Sequence, residues 1–175
     1  MKIKLLYYSG AGNTKFIASI VANKLIKNGH IVESIRVTEK SISTLDDDFD
    51  ILYLGFPVYF RDAPELIYNI FDKINGKNRS IMIFVITGLY SGNAFKNIQS
   101  VSIEKGFIPV GALQLIMPGT DFLTLGVKAN SFLEKLYLKN HSRNINGKVE
   151  KFVEKMEKIK NWKEQKLNGI HLLMN

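Results

Sequence analysis

The tract Ser9-Gly10-Ala11-Gly12-Asn13-Thr14-Lys15 follows the first apolar run of the chain and precedes a segment of helical period. Two glycines, two hydroxyls and an amide at a strand-to-helix junction suit one task, the holding of an anion. The first N–H groups of a helix have no intrahelical acceptor and lie at the positive end of its dipole, so they bind an anion without a buried lysine or arginine. The glycines let the backbone approach closely, and Ser9, Thr14 and Asn13 supply further donors. A tight turn that caps itself is the alternative use of the same residues. Two common phosphate sites fit less well. The dinucleotide pattern G-x-G-x-x-G begins at Gly10 and Gly12 but has Lys15 in its third glycine position, and Arg36-Val37-Thr38 brings no acid for a ribose. The triphosphate spacing G-x-x-x-x-G-K-[ST] does not occur.

Two other loops converge on this one if all three follow strands of an open parallel sheet, where ligands bind beyond the strand C-termini. They are Gly55-Phe56-Pro57-Val58-Tyr59-Phe60 and Thr87-Gly88-Leu89-Tyr90-Ser91-Gly92-Asn93. Phosphate donors in one loop and aromatics in the other two call for a planar ring system joined to a monophosphate. Tyr59 and Tyr90 are the stacking candidates; a ring packed on the next helix and a surface aromatic are their respective alternatives. No catalytic residue and no metal ligand set is expected. His30, His141 and His171 lie outside these loops, and Asp46-Asp47-Asp48 reads as a solvated turn. With no cysteine there is no thiolate nucleophile, disulfide or Cys-ligated metal, so redox chemistry here requires a bound cofactor.

The elements that must position these loops alternate between short apolar runs and helical periods, the signature of βαβ units around a parallel sheet. Strands are expected over residues 2–8, 31–37, 50–56, 80–87 and 108–117. The unbroken apolar run Ile81-Met82-Ile83-Phe84-Val85-Ile86 belongs at the sheet's centre. A helix over 13–28 places Phe16, Ile17, Ile20, Val21 and Leu25 on one face and stops at Gly29. In the next, Asp62-Ala63-Pro64-Glu65 reads as a capping box, with Leu66, Ile67, Ile70, Phe71 and Ile74 buried before Gly76. Further helices are expected over 93–105 and 148–166, the latter burying Val149, Phe152, Val153, Met156, Ile159 and Trp162. Residues 38–49 suit a short or irregular connection, and 118–146 an insertion over the sheet's end.

The chain has 175 residues, 46% hydrophobic and 23% charged, which fits one compact domain spanning residues 1–175. The initial apolar run is too short for a signal peptide, and no stretch reaches the length that spans a bilayer. A soluble, cytoplasmic protein is therefore expected. Net charge is +8, unevenly spread: residues 1–127 carry 13 Lys/Arg against 11 Asp/Glu, and residues 128–175 carry 11 against 5. A basic end attracts nucleic acid, an acidic protein or anionic lipid, or is simply a solvated helix face.

Ser9-Gly10-Ala11-Gly12-Asn13-Thr14 after a first strand, followed by D-I-L-Y-L-G-F-P-V-Y and I-T-G-L-Y-S-G-N-A, resembles the flavodoxin family, above all the flavodoxin domains that some anaerobes fuse to a ferredoxin. The likeness covers residues 1–118 by motif and the last helix by position. It implies a flavodoxin-like three-layer α/β/α sandwich with a five-stranded parallel sheet in the order 2-1-3-4-5, the order for which this family is itself the standard illustration. It also implies flavin mononucleotide (FMN) as cofactor. Ser9 through Thr14 would wrap the phosphate, and Pro57, Val58, Tyr59, Phe60, Thr87, Gly88, Leu89, Tyr90, Gly92 and Asn93 would flank the isoalloxazine. Arg61 either approaches the ring's pyrimidine edge or stays solvated.

The chain departs from that family in three respects. Ala11 stands where the family usually has a hydroxyl, which removes a donor worth about 1.5–3 kcal/mol to a charged acceptor. No glycine follows Pro57, whereas small electron carriers commonly place one beside the flavin; the G-F-P-V-Y form is closer to flavodoxin-like reductases. Typical flavodoxins are acidic and this chain is basic, so its redox partner is expected to be acidic, such as a ferredoxin. The resemblance thus implies an electron-transfer flavoprotein. An NAD(P)H-dependent flavin or quinone reductase on the same fold is the first alternative. A flavin-free binding domain acting through a basic C-terminal helix is the second, although no nucleic-acid partner and no membrane span are expected.

Overall fold

The computed structural model describes residues 1–88, 90–117 and 144–158. Five strands, β1 (Lys2–Tyr7), β2 (Ile31–Arg36), β3 (Ile51–Pro57), β4 (Ser80–Thr87) and β5 (Ile108–Ile116), form one sheet in the order β2-β1-β3-β4-β5. All four pairings are parallel. The expected strands are met to within one residue at each end. Every residue of β4 is buried, as its unbroken apolar run requires of a strand covered on both faces.

Alternation along the strands sorts the core into two layers. Leu6, Leu52, Leu54, Phe56, Ile81, Ile83 and Val85 face α3 (Glu65–Ile70) and α4 (Ala94–Glu104), where Ile67, Ile70 and Ile98 meet them. On the other face Ile3, Leu5, Tyr53, Met82 and Phe84 pack against α1 (Asn13–Lys27) and a helix over residues 145–158. The last of these buries Val149, Phe152, Val153 and Met156. Of the rest of that segment, the exposed Lys148, Lys151, Lys155 and Lys158 fall at helical spacing along one side, with Glu150, Glu154 and Glu157 in a row beside them. Residues 118–143 of the expected insertion, and 159–166 of the expected helix with Ile159 and Trp162, lie outside the described residues, as do His141 and His171. Among the described residues no helix is long and apolar enough to cross a membrane.

Three expectations are corrected. Phe16 is 53% exposed, because the buried face of α1 runs through Thr14, Ile17, Ala18, Val21, Ala22 and Leu25 and leaves position 16 on its flank. The helix expected through Ile74 ends at Ile70; Phe71 and Ile74 are still buried, but in turns. Asp62 does not cap that helix, whose N-cap is Pro64 with no side-chain bond. Between β2 and β3 lies only the five-residue α2 (Glu39–Ser43), closed by a reciprocal Thr38–Ser41 capping box.

At the N-terminal end of the sheet, cations answer the Asp46-Asp47-Asp48 turn. Lys2 pairs with Asp48 (2.8 Å), buried Lys4 with Asp46 (2.6 Å), and Lys77 and Arg79 with Asp47 (3.0 and 3.3 Å). The hydrogen bond from Lys4 is the main reason that the Asp46 carboxyl is held below its usual range. This ionic belt closes the end of the sheet remote from the converging loops.

Candidate functional site

The loop after β1 turns at Gly12, whose backbone is left-handed (φ 97°), a conformation that costs glycine little. Ser9 is buried to 3% exposure, and its Oγ accepts bonds from the Gly12 N–H (3.1 Å) and the Lys15 N–H (3.3 Å). The side chain therefore caps α1 from outside, and the self-capping use of the tract holds for Ser9. It leaves other donors unspent: among the described residues the N–H groups of Gly10, Ala11 and Thr14 meet no acceptor. Arg36, at the end of β2, donates from Nη2 to the Ser9 carbonyl (3.0 Å) and brings a guanidinium beside the loop. Sequence reading singled out Arg36 only as a missing acid; a contact 27 residues away leaves no local signal.

The loop after β3 is a tight turn. Tyr59 and Asp62 exchange both backbone bonds, each 2.9 Å, with Phe60 (φ 48°) and Arg61 (φ 69°) between them in left-handed backbone. Such turns normally take glycine or asparagine, so surrounding contacts must hold this one. The Val58 N–H donates to the Ile86 carbonyl and the Asn93 N–H to the Arg61 carbonyl. The Asp62 carboxylate accepts from the Ala63 N–H (2.7 Å), the Tyr68 hydroxyl (2.6 Å) and the Asn97 amide (2.9 Å). Burial works to raise the Asp62 carboxyl, but these three donors outweigh it and hold it below its usual range. Burial and the neighbouring carboxylate push the Tyr68 phenol up to about 12.

A folded-state carboxyl held low contributes stability that is fully present above its unfolded value and is lost as pH falls through the folded one. Asp62→Ala is expected to cost about 1–3 kcal/mol at pH 7, since it strands Tyr68 and Asn97. In denaturant melts the gap between wild type and variant should close on acidification below pH 4; a gap independent of pH contradicts the assignment.

The loops after β1, β3 and β4 meet in one cleft of about 50 Å³ lined by Ser9, Gly10, Ala11, Asn13, Thr14, Pro57, Val58, Tyr59, Thr87 and Gly88, together with Ile86 and Met117, which sequence reading did not name. Tyr59 lies over the first loop: a Cβ on Gly10 would stand 2.6 Å from its Oη, so any side chain there would push the Tyr59 hydroxyl aside. The Tyr59 ring also meets Tyr8 edge-on, with centroids 6.4 Å apart. Gly12 shapes the loop without lining the cleft. Phe60 and Tyr90 stand in solvent outside it, the latter 68% exposed. Gly92 (φ 56°) packs against Arg61, and Asn93 is the N-cap of α4. Leu89 lies outside the described residues. A larger cavity of about 240 Å³ opens between α4 and β5, lined by Phe95, Gln99 and Val110 with Lys155, and holds none of these loops.

No protein-family model matches the chain. A flavodoxin from Clostridium beijerinckii is 35% identical over 81 residues, a match that spans 43% of this chain and 58% of that protein's length. Among solved structures, the fold is similar to the Streptococcus pneumonia TIGR4 flavodoxin, with TM-score 0.64, 15% identity, and 90% of this chain and 98% of that one covered. It is similar to flavodoxin 1 from Bacillus cereus, with TM-score 0.57, 18% identity, and 80% and 99% covered. It is also similar to a flavoprotein from Lactobacillus acidophilus NCFM solved in complex with FMN, with TM-score 0.52, 15% identity, and 73% and 99% covered. At such identities the structures speak for the fold alone.

Proposed function

We propose, from the premise that the chain belongs to the flavodoxin family and has its three-layer 2-1-3-4-5 fold, that it binds FMN non-covalently and transfers electrons through it to and from a protein partner. The observation that carries this reading is the convergence of the unspent N–H donors of the loop before α1 and of its first turn with the Tyr59 loop at one cleft. That cleft lies beyond the C-termini of β1 and β3, where strand order reverses.

The residues present fit such a group. The Gly10, Ala11 and Thr14 N–H groups, the Ser9 and Thr14 hydroxyls and the Asn13 amide would hold a phosphate. A cleft of about 50 Å³ takes an anionic headgroup and not a ring system, which needs a pocket of several hundred Å³. The ring would therefore lie against the mouth, where Tyr59, Thr87 and Gly88 line the cleft and Phe60, Tyr90, Gly92 and Asn93 belong to the same two loops. Flavin, when bound, supplies the electron chemistry. The chain's part is to anchor the phosphate, to cover part of the ring, and to leave an edge open to a partner. Outer-sphere transfer asks for no acid or base of the chain.

Titrating the apoprotein with FMN is expected to quench flavin fluorescence, with saturation below tens of micromolar. Absence of quenching in that range overturns the reading. Steady-state oxidation of NAD(P)H with a quinone acceptor would instead place the chain among the reductases of this fold.

A further inference from the structure

We propose that Arg36 is a positioning residue for the anion-binding loop: from outside the cleft it holds the Ser9 carbonyl, and through that peptide it aims and strengthens the Gly10 N–H. The inference rests on the FMN reading for the identity of the anion, whereas the coupling itself stands on the loop's geometry. Gly10, Ala11 and Gly12 have no polar side chain, so the middle of the loop offers only backbone donors. The Gly12 N–H is spent on Ser9 Oγ, which leaves those of Gly10 and Ala11. Up to this point the chain is held by the sheet: Tyr7 accepts from the Val37 N–H (2.7 Å), and the Tyr8 N–H donates to the Gly55 carbonyl (2.9 Å). The peptide joining Ser9 to Gly10 lies beyond both contacts. Among the described residues its one hydrogen bond is the one that its carbonyl accepts from Arg36 Nη2 (3.0 Å).

Arg36 is the last residue of β2 and stands in register with Tyr7, two residues before Ser9. It has no carboxylate partner among the described residues to draw it elsewhere. Gly10 lines the cleft and Arg36 does not. In a trans peptide the C=O and the N–H point in opposite directions. A guanidinium fixed on the Ser9 carbonyl therefore turns the Gly10 N–H away from itself, toward the cleft. The bond is charge-assisted, and hydrogen bonds in series through one amide polarise each other, so the same contact makes Gly10 a stronger donor. The effect is confined to that peptide. The Gly12 and Lys15 N–H groups are held by Ser9 Oγ and owe nothing to Arg36.

The first measurement uses the full chain and needs no flavin. In amide proton–nitrogen correlation spectra Arg36→Met should move the Gly10 nitrogen upfield, while the Gly12 and Lys15 amides move much less. Arg36→Lys, which keeps a cationic donor on a stem of similar length, should bring Gly10 part of the way back. No movement at Gly10, or an equal displacement of all three amides, overturns the proposal. In fluorescence titrations Arg36→Met should weaken FMN binding by roughly threefold to tenfold, the weight of one ordinary hydrogen bond, and leave riboflavin binding unchanged. The loss should persist at about 0.5 M salt, where the screening length falls to a few ångströms. Equal losses for the two flavins, or a loss that vanishes in salt as a bare charge effect would, overturn the proposal. A chain that fails to quench FMN but shows the selective Gly10 response rejects the cofactor reading and keeps the coupling of Arg36 to Gly10.

Discussion

Replacing Thr14 with valine is expected to weaken FMN binding by roughly tenfold to one-hundred-and-fifty-fold, the equivalent of one hydrogen bond to a charged acceptor at about 1.5–3 kcal/mol. Riboflavin binding should scarcely change. Thr14 is 1% exposed, lines the cleft and stands in the first turn of α1. Valine keeps its volume and β-branching, so the helix start is retained while the hydroxyl is lost. Riboflavin has the same ring and no phosphate, and comparing the two flavins by fluorescence titration therefore isolates the anion contact. Equal losses for both would move the phosphate away from α1. Matching thermal melts for the apoproteins would show that the fold is unaffected.

Gly55→Val is expected to destabilise the protein by about 3 kcal/mol, the upper part of the range for overpacked cores. A Cβ at Gly55 would lie 2.0 Å from Phe84 Cζ and 2.3 Å from Cε2. The ring has little room to withdraw: Phe84 is fully buried and meets Phe152 edge-on at 6.4 Å. Gly55 thus lets β3 pass beneath the side chain on which the helix over 145–158 is seated, two residues before the strand delivers Pro57 to the cleft. Chemical denaturation would read the loss, and a value under about 1 kcal/mol contradicts the packing argument. In the milder pair Gly55→Ala and Gly55→Ala/Phe84→Leu, the second substitution should recover part of what the first loses, because the two act through one contact.

The strands were legible because a sheet covered on both faces needs long apolar runs, and Ile81 through Ile86 has no other use. Helix stops at Gly29 and Gly106 were legible for a similar reason, since both carry the left-handed backbone that ends a helix. Apolar spacing reports burial more faithfully than it reports helix. Phe71 and Ile74 are in the core as expected, yet the chain around them turns, with Lys77 and Asn78 left-handed. Phe16 shares the apolar character of its neighbours, but periodicity fixes the buried face only to within a residue's width.

At the site, Ser9, Gly10 and Thr14 were readable because helix starts have local grammar. The network around Asp62 was not. Asn97 lies 35 residues away, and the pattern Asp62 to Glu65 mimicked a cap whose geometry Pro64 supplies instead. The Phe60-Arg61 turn escaped for a different reason: local rules reserve successive left-handed positions for glycine and asparagine, and only tertiary contacts can impose them on bulkier residues.

Ser9 carries a consequence for selectivity. A serine hydroxyl has two lone pairs and one proton; with the lone pairs facing Gly12 and Lys15, the proton is what remains to offer. The Ser9 carbonyl is taken by Arg36 and the Gly12 carbonyl by the Phe16 N–H. The loop therefore spends these acceptors on itself and turns donors outward. A doubly ionised phosphate can use every donor it meets, whereas a phosphate that has regained a proton, near pH 6, arrives with an O–H for which the Ser9 and Gly12 oxygens are already engaged and which falls to acceptors such as Thr14 Oγ1.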